Sequence, residues 1–235
     1  QLFNDVEGDL RKHSKQRTSA LLRAVKSEQS DFEWYPTTDA MLQVIKDDLL
    51  KDAGSYCHNT KENVVRESIL DCGAGDGRAL MFLTKGSRYA IEKSRPLVEA
   101  MDKDIYVIGA DFHQNTLLDK KVNCIFCNPP YSEYETWASK IITEGQSAVA
   151  YLIIPQRWKE SDIIAQALAL REFEATVLDS FDFLTADRQA RAKVDIVKID
   201  MGYRSSYGGN SSKNDAFDIW FDQHFKINAA EDSVS

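Results

Sequence analysis

Ile125-Phe126-Cys127-Asn128-Pro129-Pro130-Tyr131 is the stretch on which the reading of this chain turns. Ile125 to Cys127 have the composition of a buried strand end. Pro129 and Pro130 stop that strand, because neither can donate a ladder hydrogen bond. Asn128 is thereby placed at the carboxyl edge of a sheet, where open α/β folds put their ligands. An Asn side-chain oxygen and the carbonyl of Pro129 can both accept from a planar amino group, and Tyr131 can stack on the ring that carries it. Asn-Pro-Pro-Tyr by itself also fits a plain strand-ending turn. The choice depends on what lies upstream.

Upstream lies Ser68-Ile69-Leu70-Asp71-Cys72-Gly73-Ala74-Gly75-Asp76-Gly77, a short apolar strand running into an acid and a glycine turn. Glycines let the backbone approach a ligand, and the helix that follows offers free N–H groups. The spacing is GxGxG, with Arg78 where a dinucleotide fingerprint has Gly. Asp71 would repel a pyrophosphate but can receive an ammonium group, so the loop favours a nucleoside bearing an amino acid. Two further strand candidates end in acids. Arg88-Tyr89-Ala90-Ile91-Glu92 places Glu92 where ribose hydroxyls are met in nucleoside-binding folds. Residues 105–109 lead to Asp111 and Phe112, an acceptor for an adenine amino group and a ring to lie beside it.

Working outward, strands and helices alternate. Strand candidates fall at 68–72, 88–92, 105–109, 122–127, 148–155, 175–178 (extending to 183) and 194–201. Helices are expected over 77–85, 95–102, 133–144 and 161–170, each with apolar residues at helical spacing. This pattern predicts an α/β fold with a mostly parallel sheet covered by helices on both faces. Ahead of it, a helix over 38–51 carries Met41, Leu42, Ile45 and Leu49 on one face. The segment Asp31-Phe32-Glu33-Trp34-Tyr35-Pro36-Thr37 precedes that helix and reads as an extended cover over something flat or apolar. Three regions are expected: a basic helix or arm over 1–30, the main domain over 31–203, and a Ser/Gly/Asn-rich linker with an aromatic tail over 204–235.

With 235 residues and 28% charged residues, the chain has the composition of a globular protein rather than a disordered one. No apolar run reaches the roughly 20 residues of a membrane span, and the start lacks the pattern of a signal peptide. Four cysteines point to a reducing compartment, hence the cytoplasm. Cys124 and Cys127 have CxxC spacing and, with Cys57 and His58, suggest a zinc site only superficially. On a strand, residues three apart point to opposite faces, so these cysteines read as buried apolar residues and no metal is expected. A formal charge of −8 argues against a general nucleic-acid binder. Yet Arg11, Lys12, Lys15, Arg17, Arg23 and Lys26 share one stretch without an acid, a candidate basic surface or a solvated helix face.

These features together resemble the class I S-adenosylmethionine-dependent methyltransferases, and more narrowly the phage- and plasmid-type amino-methyltransferases that modify adenine N6 in DNA. The resemblance covers residues 31–203. It implies a Rossmann-like sheet of seven strands with a reversed last strand at 194–201. It implies S-adenosyl-L-methionine as cofactor, bound by Tyr35, Pro36, Thr37, Asp71, Gly73, Gly75, Glu92, Asp111, Phe112 and Asn128. Asn128, Pro129, Pro130 and Tyr131 would form the catalytic motif. The adenine would be swung out of DNA, with Tyr131, Arg157, Trp158, Arg188 and Arg191 on the substrate side. The setting implied is a bacterial or phage-infected cytoplasm.

The chain departs from that pattern in lacking a sizeable recognition domain. Three alternatives follow: methylation of a protein glutamine amide, methylation of an RNA amino group, or a cofactor-binding protein without activity. The oligomeric state is open.

Overall fold

The computed structural model of the chain describes residues 2–29, 32–54, 64–182, 193–202 and 215–224. Strands β1 (Ile69–Cys72), β2 (Arg88–Ile91), β3 (Ile105–Gly109), β4 (Cys124–Cys127), β5 (Val149–Pro155), β6 (Ala175–Asp182) and β7 (Lys193–Asp200) form one sheet in the order β3-β2-β1-β4-β5-β7-β6. The pairs β1–β2, β2–β3, β1–β4 and β4–β5 are parallel. β7 is antiparallel to both neighbours, entering the sheet between β5 and β6. This is the Rossmann-like sheet with one reversed strand that the sequence pattern and the resemblance lead one to expect.

The order reverses between β1 and β4. From β1 the chain winds outward to β2 and β3, then returns to start β4 and winds the other way. The connections that follow β1 and β4 therefore part and leave a crevice at the strands' carboxyl ends. The glycine loop and Asn128 both lie at those ends.

Side chains alternate across the strands and build two cores. On one face, Phe126 and Tyr151 pack with Met41, Leu42 and Ile45 of α2 (Asp39–Gly54) and Leu80 and Leu83 of α3 (Arg78–Leu83). On the other, Ile125 and Leu152 pack with Trp137, Ile141 and Ile142 of α5 (Tyr134–Glu144) and Ile164 of α6 (Asp162–Arg171). Cys124 belongs to the first core, and Cys72 and Cys127 to the second, all three buried and free. The CxxC spacing thus divides between two faces, as strand periodicity requires. Cys57 and His58 lie outside the described residues.

Among the described residues there are further α-helices, α1 (Leu2–Ser27), α4 (Arg95–Ala100) and α7 (Ala216–His224), and a 3-10 turn over Gln156–Glu160. α1 falls in the stretch expected as a basic helix or arm, and part of the expected aromatic tail is helical. Among the described residues no helix is long and apolar enough to cross a membrane.

One buried charge ties the reversed strand to its neighbours. Asp195 of β7 is fully buried. It accepts from Gln156 Nε2 (3.1 Å), Trp158 Nε1 (3.1 Å) and Ser180 Oγ (2.7 Å), and Lys159 Nζ lies 2.9 Å away. Burial pushes its carboxyl up, but the Lys159, Ser180, Trp158 and Gln156 bonds outweigh that and hold it below the usual range. Removing such a hub deprives the half-buried Gln156 and Trp158 donors and the Ser180 hydroxyl of their acceptor, each lost bond worth about 1 kcal/mol. Asp195→Ala is expected to destabilise the fold by about 3 kcal/mol at neutral pH, measured by urea unfolding. The difference should shrink as pH falls through the depressed carboxyl pKa, because a protonated Asp195 no longer holds its partners as strongly.

Candidate active site

The crevice at the switch point holds a cavity of about 960 Å³, open solvent at its mouth included. Four parts of the chain build it: the glycine loop after β1, the acid after β2, the turn after β4, and the segment over residues 32–37 that closes its top.

The glycine loop turns sharply because Gly73 and Gly75 both take positive φ, 88° and 57°. A side chain at Gly73 would come 3.1 Å from Trp137 Cζ3, and one at Gly75 would collide with the indole nitrogen of Trp34. The two tryptophans thus lie directly on the loop. Trp34 belongs to the segment that the sequence marks as a cover, whereas Trp137 is not identifiable as a site residue from sequence alone. The Glu133–Trp137 spacing of four was the available signal: both belong to one helix face, and Trp137 Nε1 donates to Glu133 Oε2 at 3.0 Å. His113 Nε2 lies 2.8 Å from the same oxygen.

Asp71 ends β1 at the cavity floor. It is nearly fully buried, and its Oδ1 has no hydrogen-bond partner. Burial raises its carboxyl well above the ordinary range, and the charges of Glu92 and Asp76 raise it further. Glu92, at the end of β2, accepts the backbone N–H groups of Gly75 and Ser94, each at 2.7 Å. Burial still leaves its carboxyl raised, because those bonds only partly oppose the desolvation. Asp111 sits nearer the rim, 3.2 Å from Lys93 Nζ. Phe112 is buried and stacks on Trp137 with centroids 4.0 Å apart. Asp71, Asp76, Glu92 and Asp111 around one cavity, Asp71 with an orphaned oxygen, fit a ligand that brings positive charge. The donor set therefore suits the ammonium and sulfonium of S-adenosylmethionine and is unsuited to phosphates.

Asn128 faces this cavity from the other strand. Its Nδ2 donates to the carbonyl of Tyr35 (2.9 Å) and to Thr37 Oγ1 (3.1 Å). The Tyr35 carbonyl can only accept, so it fixes which end of the amide is nitrogen. Asn128 Oδ1 is left buried and without a partner. The covering segment is fastened on both banks. Glu33 Oε2 accepts from the Ser132 N–H (3.1 Å), and Lys93 Nζ lies 4.8 Å from the centre of the Phe32 ring.

Of the residues singled out from sequence, Tyr35, Pro36, Thr37, Asp71, Gly73, Glu92, Asp111, Phe112, Asn128 and Pro130 line the cavity together. Gly75 lies beneath Trp34. Tyr131 sits behind the lining, its ring parallel to that of Tyr35 within 3° and 5.6 Å away. Burial and the neighbouring Tyr35 hold its phenol well above its ordinary pKa. Arg157 and Trp158 are not in the lining: the Arg157 guanidinium lies over the Tyr134 ring (5.3 Å), and Trp158 is bound to Asp195. Arg188 and Arg191 lie outside the described residues.

No protein-family model and no curated sequence matches this chain. Solved structures do. A dimethyladenosine transferase from Plasmodium falciparum superposes with a TM-score of 0.53 at 14% identity, covering 71% of this chain and 63% of that one. The 23S rRNA methyltransferase ErmE superposes with a TM-score of 0.53 at 11% identity, covering 74% and 72%. At such identities the likeness establishes a shared fold.

The acid cluster yields a prediction of opposite signs. A carboxyl whose folded pKa is raised costs stability once pH exceeds its unfolded value of about 3.9. Asp71→Asn is therefore expected to raise the urea midpoint of the ligand-free protein at pH 7, with the gain vanishing below about pH 4. The same change should weaken S-adenosylmethionine binding about tenfold or more, the worth of a charge-assisted hydrogen bond. Calorimetric titration and denaturation of one variant check both.

Proposed function

We propose that this chain transfers a methyl group from S-adenosylmethionine to the exocyclic amino group of an adenine in RNA. The observation that carries the reading is the Asn128 amide, its nitrogen pinned and its oxygen buried and unpartnered. An acceptor so placed is unsatisfied until an N–H donor enters the cavity, and an unmade buried hydrogen bond costs about 1–3 kcal/mol. A planar amino group has two N–H bonds to offer. Asn128 Oδ1 would take one, and the carbonyl of Pro129, next in sequence though outside the cavity lining, would take the other. Drawing both protons toward these oxygens enriches the amino nitrogen and orients its lone pair away from them.

The cofactor would be held by Asp71 at its ammonium end, by Glu92 at its ribose and by Asp111 and Phe112 at its base, under Tyr35 to Thr37. When bound it supplies an electrophilic methyl group on a sulfonium. The chain's own contribution is then placement, which in well-oriented reactions is worth several kcal/mol of barrier, together with exclusion of water by the covering segment.

RNA is favoured over DNA on two grounds. The motif order resembles the DNA enzymes, but the two superposing structures are named for adenosine and 23S rRNA. An adenine in an RNA loop also needs little or no unstacking before it can enter the crevice. A glutamine amide presents the same NH₂ to Asn128 and is the competing acceptor.

Tritiated methyl transfer to total RNA, genomic DNA and unfolded protein, followed by digestion and mass analysis, is expected to give N6-methylated adenosine from RNA. Label confined to deoxyadenosine or to glutamine would overturn the RNA assignment. Asn128→Ala should lower transfer by about 10²-fold or more while leaving cofactor affinity within a fewfold, as for loss of one positioned hydrogen-bonding group.

A further inference from the structure

The amino-terminal helix is fastened to the cofactor side of the cavity. Thr18 and Val25 of α1 are buried and Leu21 is half-buried, a docking face at helical spacing. Arg17 Nη2 donates to the Ala100 carbonyl at the end of α4 (3.0 Å) and lies 3.7 Å from Asp76 Oδ2. Arg78 grips Asp76 through Nε and Nη2, both at 2.9 Å, and also donates to Thr18 Oγ1 at 3.0 Å. Its guanidinium lies over Trp34, 5.7 Å from the ring centre. Asp76, Arg78 and Trp34 all line the cavity, so α1 packs directly behind part of its lining.

What α1 turns outward is basic. Lys15, Arg23 and Lys26 are exposed. At about 100° per residue they fall within roughly a quarter turn of one another, away from the Thr18–Leu21–Val25 face. None of the three makes an ion pair among the described residues. The setting makes this unusual: the chain carries a net charge of −8, and the cavity lining holds Asp71, Asp76, Glu92 and Asp111, of which Asp76 and Asp111 are paired with Arg78 and Lys93, so the cations there are already engaged. A polyanion approaching that mouth meets repulsion unless something beside it is positive.

We infer that the outward face of α1 is the surface that grips the phosphates of the RNA strand flanking the target adenine. The inference rests on the proposed RNA reading, and its partner is set by charge: three cations beside an acidic cavity match a strand whose backbone is anionic and whose base must enter the cavity. Lys and Arg at such a surface contact phosphates without reading sequence.

The test is fluorescence anisotropy of a labelled single-stranded RNA against the full chain, repeated between about 50 and 200 mM salt. For a single strand, each lost phosphate contact lowers the slope of log affinity against log salt by about 0.7. The triple variant Lys15→Gln/Arg23→Gln/Lys26→Gln should therefore bind about tenfold more weakly at low salt with a slope smaller by about 2. Its S-adenosylmethionine affinity, measured by calorimetry, should be unchanged, which shows that α1 is still docked. A second variant, Arg23→Glu/Lys26→Glu, should weaken RNA binding further than its glutamine counterpart. An unchanged affinity and slope in both variants would overturn the inference, as would tighter binding to a DNA strand of the same sequence. Salt- and α1-dependent RNA binding with methyl transfer to another acceptor would uphold the surface and sink the proposed reaction instead.

Discussion

The Asn128 amide has its nitrogen committed and its oxygen uncommitted, and most of the molecule serves to keep it so. Two prolines prevent β4 from running on, which leaves the side chain at the sheet edge. The switch between β1 and β4 opens the crevice it faces. The Tyr35 carbonyl and Thr37 hydroxyl then fix the amide's orientation from a segment more than 90 positions away in sequence. Remove any one of these and the oxygen either rotates, meets solvent or finds an internal partner. A buried acceptor left unsatisfied is costly, so the arrangement is best understood as complete only when a donor occupies the cavity.

The carboxylates opposite follow the same logic. Asp71, Asp76 and Glu92 are brought together in a site that excludes much of the water that would screen them, and burial lifts the Asp71 and Glu92 carboxyls. Glu92 is partly relieved by two backbone N–H groups and Asp76 by Arg78. Asp71 is the least relieved, with one oxygen orphaned. The site is therefore strained electrostatically toward a cation on one side and toward an N–H donor on the other. A sulfonium nucleoside and a planar amino group answer these two demands with complementary charge.

Much of this was legible in the sequence because it is encoded locally. The glycine loop, the acids ending β1 and β2, and the proline stop after β4 each announce themselves within ten residues, and together they locate the crevice. What was not legible depends on register between distant segments. Trp34 covers Gly75 and Trp137 backs Gly73 only because the covering segment and α5 converge on one loop. Trp158 reads as a substrate contact when only its position at the end of β5 is known. The buried Asp195, opposite Ile154 in the sheet, takes its indole N–H instead. The reversal of β7 came only with the resemblance, and its insertion between β5 and β6 follows from no local signal and was not anticipated. Tyr131, expected against the acceptor, lies behind Tyr35, a contact decided by the fold of the amino-terminal segment.

The most direct test of this account is a crystal structure of the chain with sinefungin, in which an amine-bearing carbon replaces the sulfonium sulfur, so that this amine stands where S-adenosylmethionine carries its transferable methyl. The account predicts the amino-acid end of the ligand at Asp71, its ribose at Glu92, and its amine within hydrogen-bonding distance of Asn128 Oδ1. A nucleoside bound elsewhere, or one in the cavity with its amine turned away from Asn128, would contradict it.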